Sequence, residues 1–170
     1  MKYLITGGTG YIGSNLVKAL LEEKNNIVNL IVRPESNLNS INNIQHLCNL
    51  HYYNGSIDDV IKIFKNSTPE VVIHLASQTA FLHDYKDIKS IINSNILFGT
   101  QLLEAMVLTS APCFINTGTF WQHYDNEEYN PNSLYAATKQ SFQDILKFYT
   151  SSGHLKSITL KLFDTYGPND

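Results

Sequence analysis

The chain has few of the residues that mark several common classes of protein. Its two cysteines, Cys48 and Cys113, are too few for a disulfide framework and lack the spacing of a metal site. Only 16% of the residues are charged and the net charge is −3, so no basic surface for nucleic acid is expected. The first residues run at once into glycines, unlike a secretory signal or a membrane-spanning segment. These absences favour a soluble cytoplasmic protein with no metal, nucleic-acid or membrane partner.

What the chain does contain is a regular alternation of short apolar segments and longer helical ones. The short segments, rich in β-branched or aromatic residues, predict six strands: Lys2–Thr6, Ile27–Val32, Asn49–Tyr53, Glu70–Leu75, Pro112–Asn116 and Ser157–Phe163. Apolar residues at helical spacing predict the intervening helices, which run about 12–21, 57–64, 88–106 and 134–149. This alternation predicts one α/β domain over residues 1–170, a doubly wound parallel sheet of the Rossmann type.

A glycine-rich turn joins the first predicted strand to the first helix. In TGGTGYIG, residues 6–13, the glycine spacing suits a tight turn, close approach of the backbone to a pyrophosphate and close helix–sheet packing. The helix N-terminus adds free N–H groups and a partial positive charge. We therefore expect a dinucleotide site rather than a structural turn, and no Gly-Lys-Ser/Thr follows to indicate a mononucleotide P-loop. Its residues are Gly7, Gly10, Tyr11, Ile12 and Gly13.

The end of the second predicted strand bears on the choice of dinucleotide. An acidic residue at this place binds the adenosine ribose of NAD, but here the strand ends in Arg33, with Ser36 just beyond. An arginine can bind a ribose 2′-phosphate, and no carboxylate is expected to oppose it. The sequence favours NADP(H), with NAD(H) possible, and a solvated surface arginine is the alternative.

Tyr135 and Lys139 form a Tyr-x-x-x-Lys pair at the start of the last predicted helix. Residues four apart share one face of a helix, so the ammonium can lie beside the phenol. Tyrosine, with a pKa near about 10, is a poor base at neutral pH. A nearby lysine and a cationic nicotinamide would lower that pKa, and Tyr135 could then exchange a proton with a substrate oxygen. Such pairs are common on solvated helices, but the position after the fifth strand favours catalysis.

Two threonine hydroxyls stand where the fifth predicted strand ends. In an open parallel sheet, ligands bind at the carboxyl ends of the strands. Thr117 is therefore expected to hydrogen-bond the reacting oxygen beside Tyr135, with Thr119 as its rival. A turn-forming Thr-Gly-Thr without a chemical role is the alternative.

Taken together, these motifs resemble a known family along essentially the whole chain. The family is that of the extended short-chain dehydrogenases, the NAD-dependent epimerase/dehydratase family, which act on nucleotide sugars. The segments that resemble it are TGGTGYIG, HLAS at 74–77, NSNILFGT at 93–100, YAATK at 135–139 and KLFDTYGP at 161–168. NTGTFWQHY and LYAATKQSFQDILKFY are most similar to bacterial enzymes of the CDP-abequose synthase kind, which reduce a 4-keto-3,6-dideoxyhexose on CDP for surface polysaccharide.

The resemblance implies a role for each matching residue. It implies Thr117, Tyr135 and Lys139 as catalytic residues, the latter two also touching the cofactor, and Asn95 as a residue that orients the cofactor side of the site. The implied cofactor contacts are Leu75, Ala76, Ser77, Asn95, Ser56, Ile57 and Phe163. The implied substrate contacts are Thr119 and Asp164. Two departures stand out: Gly55-Ser56 replaces the Gly-Asp of the adenine site, and Gly118-Thr119 replaces the Asp-Glu of the dehydratases.

Three functions remain open from the sequence. The leading interpretation is reduction of a nucleotide-linked 4-keto sugar, the second is a 4-epimerase that keeps and recycles NAD, and the third is a non-catalytic dinucleotide-binding protein. Members of the family continue past the sixth strand into a substrate-binding region. We therefore expect most of the nucleotide-sugar pocket to lie outside these 170 residues, little turnover by them alone, and a homodimer for a complete protein.

Overall fold

The computed structural model describes residues 1–153 and 155–167, and its centre is a six-stranded, entirely parallel sheet. The strand order is β3-β2-β1-β4-β5-β6, so the chain reverses its direction of winding between β1 and β4. Pro168, the last residue of the KLFDTYGP motif, lies outside the described residues. The strands are β1 (Lys2–Thr6), β2 (Ile27–Val32), β3 (Asn49–Tyr52), β4 (Val71–His74), β5 (Cys113–Thr119) and β6 (Lys156–Leu162). The predicted Rossmann-type fold is confirmed.

The strand bounds agree with the prediction to within one residue except at the end of β5. This strand was expected to end at Asn116 but continues to Thr119, because its last residues pair with β6 in the register Gly118↔Lys161 and Thr119↔Leu162. Both candidate threonines are therefore held in a strand rather than in a loop. Their positions are fixed by backbone hydrogen bonds to a neighbouring strand.

Five α-helices connect the strands: α1 (Tyr11–Leu21), α2 (Ile57–Ser67), α3 (Ile88–Ile92), α4 (Phe98–Thr109) and α5 (Leu134–Ser151). The α2 helix begins as predicted, with the Ser56 side chain accepting from the Asp58 N–H at 3.1 Å. The long helix expected over 88–106 is interrupted by one wide π-helical turn, Asn93–Leu97, between α3 and α4. Turns of this kind often mark functional positions.

Apolar residues fill both faces of the sheet. On one face α2, α4 and α5 bury a cluster that includes Phe64, Phe114 and Phe142. On the other face α1 and the segment around Ile41 cover Ile5 and Leu30, among others. The helical stretch Tyr85–Thr109 is long and apolar enough to cross a membrane by length and composition, but its apolar residues pack here against α2 and α5.

Candidate active site

A cleft of about 630 Å³ opens at the carboxyl ends of the central strands, beside the reversal between β1 and β4. This is where ligands bind in open α/β sheets. It is lined by Gly7, Gly10, Tyr11, Ile12, Gly13, Leu75, Ser77, Thr79, Ala80, Phe81, Thr117, Gly118, Thr119, Trp121, Tyr135, Lys139, Leu162, Phe163, Asp164 and Thr165. The structure therefore brings the glycine turn and the three expected catalytic residues to one cavity.

The glycine turn approaches its neighbours too closely for any side chain. Gly7 has a φ of +71°, and a Cβ atom there would stand 2.6 Å from the Ala76 nitrogen. At Gly13 a Cβ atom would stand 2.1 Å from the Gly7 carbonyl oxygen. The first turn of α1 thus lies directly against the loop that precedes it, with its free N–H groups near the cleft. This cradle fits the pyrophosphate of a dinucleotide.

A buried threonine–histidine pair joins β1 to β4 beneath the cleft. Thr6 Oγ1 lies 2.7 Å from His74 Nδ1 and accepts from the Ala76 N–H at 3.1 Å. His74 is fully buried among Phe98, Phe114 and Phe142, and burial followed by the charge of Lys139 lowers its pKa to about 3. The histidine is therefore neutral and packed. Thr6, its partner, accepts from the N–H groups of Leu75 and Ala76 and holds their backbone beside the glycine turn.

Lys139 is almost completely buried, and no carboxylate pairs with it in the parts of the chain that the structure describes. Burial lowers its pKa from 10.5 to about 8. Tyr135, one helical turn earlier on α5, is half-buried, and burial raises the pKa of its phenol, with hydrogen bonds to Thr119 and Ser77 acting in the opposite direction. Desolvation has the largest effect on the pKa of this phenol, and the lowering expected from Lys139 together with a cationic nicotinamide stays a prediction.

The two candidate threonines have different partners. The Thr117 hydroxyl donates to the His74 carbonyl oxygen at 3.0 Å, whereas the Thr119 hydroxyl is the one of the two that lowers the pKa of the Tyr135 phenol. Both residues line the cleft together with Tyr135.

Asn95 is buried in the π-helical turn and joins three elements of the site. Its Oδ1 accepts from the Ser77 hydroxyl at 3.0 Å and from the Gln78 N–H at 2.8 Å. Its Nδ2 donates to the Gln78 carbonyl and, at 3.0 Å, to Thr138, whose own hydroxyl donates to the Tyr135 carbonyl. Asn95 does not line the cleft. It joins the loop after β4 to the first turn of α5, and its expected role in orienting the site stays a prediction.

Five expected cofactor contacts do not line the cleft: Ala76 and Asn95, described above, and Arg33, Ser56 and Ile57. Arg33 is exposed, and the expectation that no carboxylate opposes it is wrong, because Glu35 Oε1 lies 3.4 Å from its Nε. Ser56 is the exposed cap of α2 described above, and Ile57 packs against the core. The Ser36 hydroxyl accepts from the Arg33 N–H at 3.0 Å, which makes a compact turn at the end of β2.

Residues after β4, β5 and β6 complete the lining of the cleft. Phe163 lines the cleft and stacks on Phe120 with ring centroids 4.6 Å apart, and Asp164 follows it in the same lining. Phe81 and Trp121, which the sequence analysis did not select as site residues, meet edge to face at 5.2 Å beside them. Among the described residues, no group of three or more His, Cys, Asp or Glu side chains converges to bind a metal.

Gln122 is a further residue of the site that was not predicted from the sequence. Its side chain is fully buried behind Thr119 and forms a reciprocal capping box with that residue at the end of β5. The signal was present, because Thr followed three residues later by Gln is the pattern of a capping box. It was overlooked because the turn that follows, Phe120–Gln122, is too short to show helical periodicity.

The fold and the cleft define a dinucleotide-binding α/β protein with a tyrosine–lysine pair facing the glycine turn. The sequence pattern of the NAD dependent epimerase/dehydratase family matches residues 3–170, and the chain belongs to that family. Protein CapI of Staphylococcus aureus is 31% identical over 99% of this chain and 55% of its own length. CDP-abequose synthase of Salmonella muenchen is 29% identical over the same shares.

Solved structures agree with this assignment. UDP-glucuronic acid 4-epimerase from Bacillus cereus in complex with NAD superposes with a TM-score of 0.85 at 26% identity, covering 100% of this chain and 59% of that one. UDP-glucose 4-epimerase from Thermotoga maritima with UDP-glucose gives a TM-score of 0.86 at 26% identity, over 99% of this chain and 57% of that one. The chain thus spans a little over half the length of the relatives it matches.

Proposed function

We propose that the protein is a cytoplasmic enzyme that uses NADP(H) to reduce a nucleotide-linked 4-keto-deoxyhexose, such as a CDP-4-keto-3,6-dideoxyhexose of surface-polysaccharide synthesis. The observation that carries this proposal is the cleft itself. Tyr135, Lys139 and two threonine hydroxyls line it together with a glycine turn suited to a pyrophosphate. The similarity to CDP-abequose synthases supports the choice of sugar.

Each residue of the cleft has a distinct part in this reaction. The dinucleotide, when bound, supplies the hydride. Tyr135 donates its phenolic proton to the oxygen of the keto group as that oxygen gains negative charge. Thr117 donates its hydroxyl to the same oxygen when the substrate replaces the His74 carbonyl as its acceptor, and Thr119 supports the phenol. Lys139, charged below its pKa of about 8, favours the phenolate that remains and binds the nicotinamide ribose.

The residues after β5 support reduction rather than loss of water. Elimination from a sugar needs an acid and a base close to the reacting carbons. Gly118 and Thr119 occupy the positions where the dehydratases of this family carry their carboxylates, and Asp164 is the one carboxylate among the residues that line the cleft. Neither Gly118 nor Thr119 can act as a general base at neutral pH.

The second candidate is a 4-epimerase that retains NAD, and one contact favours it. The ion pair between Arg33 and Glu35 places a carboxylate near the expected site of a ribose 2′-phosphate, which it would repel. Solved relatives named as 4-epimerases contain NAD. Against this, both side chains of the pair are about two-thirds exposed, so a phosphate can displace Glu35 at small cost.

The test compares the two reactions on the protein as its gene encodes it. NADPH consumption with a CDP-4-keto-3,6-dideoxyhexose is measured beside the interconversion of UDP-hexose epimers without added reductant. We expect turnover only in the first assay. Tyr135→Phe should reduce that turnover by roughly 10²–10⁴-fold with dinucleotide binding retained. Tyr149→Phe is the matched control, since that phenol lies on the same helix and donates to Glu104. Epimer interconversion alone would establish the second candidate.

We further propose that the complete protein acts as a homodimer on a nucleotide-sugar partner, with residues 1–170 forming its dinucleotide-binding domain. Several apolar side chains of α3, α4 and α5 support the dimer because they remain exposed, among them Ile88, Ile92, Leu108 and Phe148. Molecular mass by light scattering tests this state. A monomer at micromolar concentration would contradict it.

A further inference from the structure

Gln122 lies at the centre of a buried amide cluster behind the catalytic strand. Its Oε1 accepts from the Thr119 N–H at 2.9 Å. Its Nε2 donates to Gln140 at 2.7 Å and to Gln143 at 3.2 Å, both on α5. Gly118 has no side chain to interfere, and a Cβ atom there would stand 2.8 Å from Gln122 Oε1. One fully buried side chain therefore connects the end of β5 to the helix that carries Tyr135 and Lys139.

This connection determines where the Thr119 hydroxyl can point. Thr119 Oγ1 accepts from the Trp121 N–H at 3.3 Å, within the capping box that it shares with Gln122. Because the oxygen accepts this bond, the hydroxyl hydrogen remains available to a group in the cleft, and Thr119 and the Tyr135 phenol line the same cleft. The Thr119 hydroxyl also acts to lower the pKa of that phenol. A hydroxyl that donates to a phenol stabilises the phenolate form.

We propose that Gln122 is a positioning residue that holds the Thr119 hydroxyl against Tyr135 and thereby sets how readily the phenol releases its proton. The inference rests on the proposed function in one respect only, the role of Tyr135 as the acid. The Thr117 hydroxyl does not serve this purpose, because it donates to the His74 carbonyl.

Other ionisable groups face the phenol from the surrounding elements. They are Lys139 on α5, Tyr11 at the start of α1 and Asp164 after β6, which share the cleft, and the neutral His74 at the end of β4, which lies below it. None of them is altered by a substitution at Gln122 or Thr119. A change in the acidity of Tyr135 after such a substitution therefore reports on the hydroxyl contact.

The experiment measures that acidity directly. Tyr135 is replaced by 3,5-difluorotyrosine, whose phenol is more acidic than that of tyrosine, and is titrated by ¹⁹F NMR. Thr119→Val should lower the dissociation constant of the phenol by roughly tenfold, the effect of one lost hydrogen bond to a charged group. Gln122→Met should also lower the acid dissociation constant of the phenol, by roughly threefold or more. Thr119→Ser keeps the hydroxyl and should restore the constant of the unsubstituted protein. Gln101→Met, a matched change on α4, should leave it unaltered.

Gln140→Met removes only one bond of the cluster and provides a second test if Gln122→Met does not fold. Unchanged acidity in both glutamine variants would overturn the role of Gln122, and unchanged acidity in Thr119→Val would show that the hydroxyl contact is absent. The titration requires no turnover. Failure to reduce any keto sugar would therefore refute the proposed function and leave this inference to be judged by the titration.

Discussion

The two walls of the cleft are held in place by different physical means. The glycine turn is positioned by backbone packed against backbone, where Gly7 and Gly13 leave no room for a Cβ atom. The catalytic wall is positioned by buried polar side chains, chiefly Asn95 and Gln122, which hydrogen-bond across elements. Close packing of backbone against backbone tolerates no added side chain. A buried polar network, in contrast, costs stability unless each of its groups has a hydrogen-bond partner. The catalytic wall therefore depends on the pairing of its buried polar groups, whereas the glycine turn depends on the absence of side chains.

The largest expected effect is on the glycine side of this comparison. Gly13→Ala forces a methyl group to within 2.1 Å of the Gly7 carbonyl, so the turn must move. We expect the free energy of unfolding to fall by roughly 3 kcal/mol and dinucleotide affinity to fall roughly a hundredfold. Urea denaturation and fluorescence titration measure the two effects. Gly55→Ala is the control, because Gly55 has a φ of +99° but open space around it, and it should cost only about 1 kcal/mol.

Lys139→Met should have an effect of similar size and opposite sign on stability. The pKa of Lys139 falls from 10.5 in an exposed chain to about 8 when folded, so at pH 7 the folded protein carries a poorly solvated charge. Removing it should raise the free energy of unfolding by on the order of 3 kcal/mol at pH 7, and by only about 1 kcal/mol at pH 10, where the unfolded chain has begun to lose the same proton. Turnover should be lost. A destabilised Lys139→Met protein at pH 7 would mean that the charge is compensated.

A smaller effect comes from His74, which joins the two walls. Its pKa of about 3 lies below the ordinary value of 6.5, so the unfolded chain binds a proton that the folded protein excludes as the pH falls. This histidine should remove roughly 2 kcal/mol of stability between pH 7 and pH 5. His74→Asn keeps an acceptor for Thr6 and should flatten the pH dependence by that amount. Identical slopes in the two proteins would contradict the assignment.

The smallest effect concerns the cofactor. Arg33→Ala should weaken NADPH binding by roughly tenfold and leave NADH binding nearly unchanged, since one charge-assisted contact is lost. Glu35→Ala should act in the opposite direction by freeing Arg33 from its ion pair. Equal weakening of both dinucleotides, measured by fluorescence titration, would remove the basis for NADP(H).

The same contrast explains how much could be predicted from the sequence. The strands, the glycine turn and the Tyr135–Lys139 pair follow patterns that are local in the chain, and the structure places them as expected. The partners of Asn95 lie 17 and 43 residues away, and those of Gln122 on α5 lie 18 and 21 residues away, so no local pattern reveals them. The ion pair between Arg33 and Glu35 was not predicted for a simpler reason. An acidic residue was expected only at the end of β2, whereas Glu35 lies in the turn beyond it.

The buried histidine also has a consequence for spectroscopy. Thr6 Oγ1 accepts from the Ala76 N–H and lies 2.7 Å from His74 Nδ1. In the tautomer in which the Thr6 hydroxyl donates to Nδ1, the neutral ring carries its proton on Nε2. That nitrogen finds no acceptor within residues 1–153 and 155–167 and is surrounded by phenylalanine rings. Its proton should exchange with water only when the junction of β1 and β4 opens, and ring currents should move its resonance away from those of the other five histidines. One imidazole N–H signal would thus report, without any label at the cleft, whether the two walls are assembled.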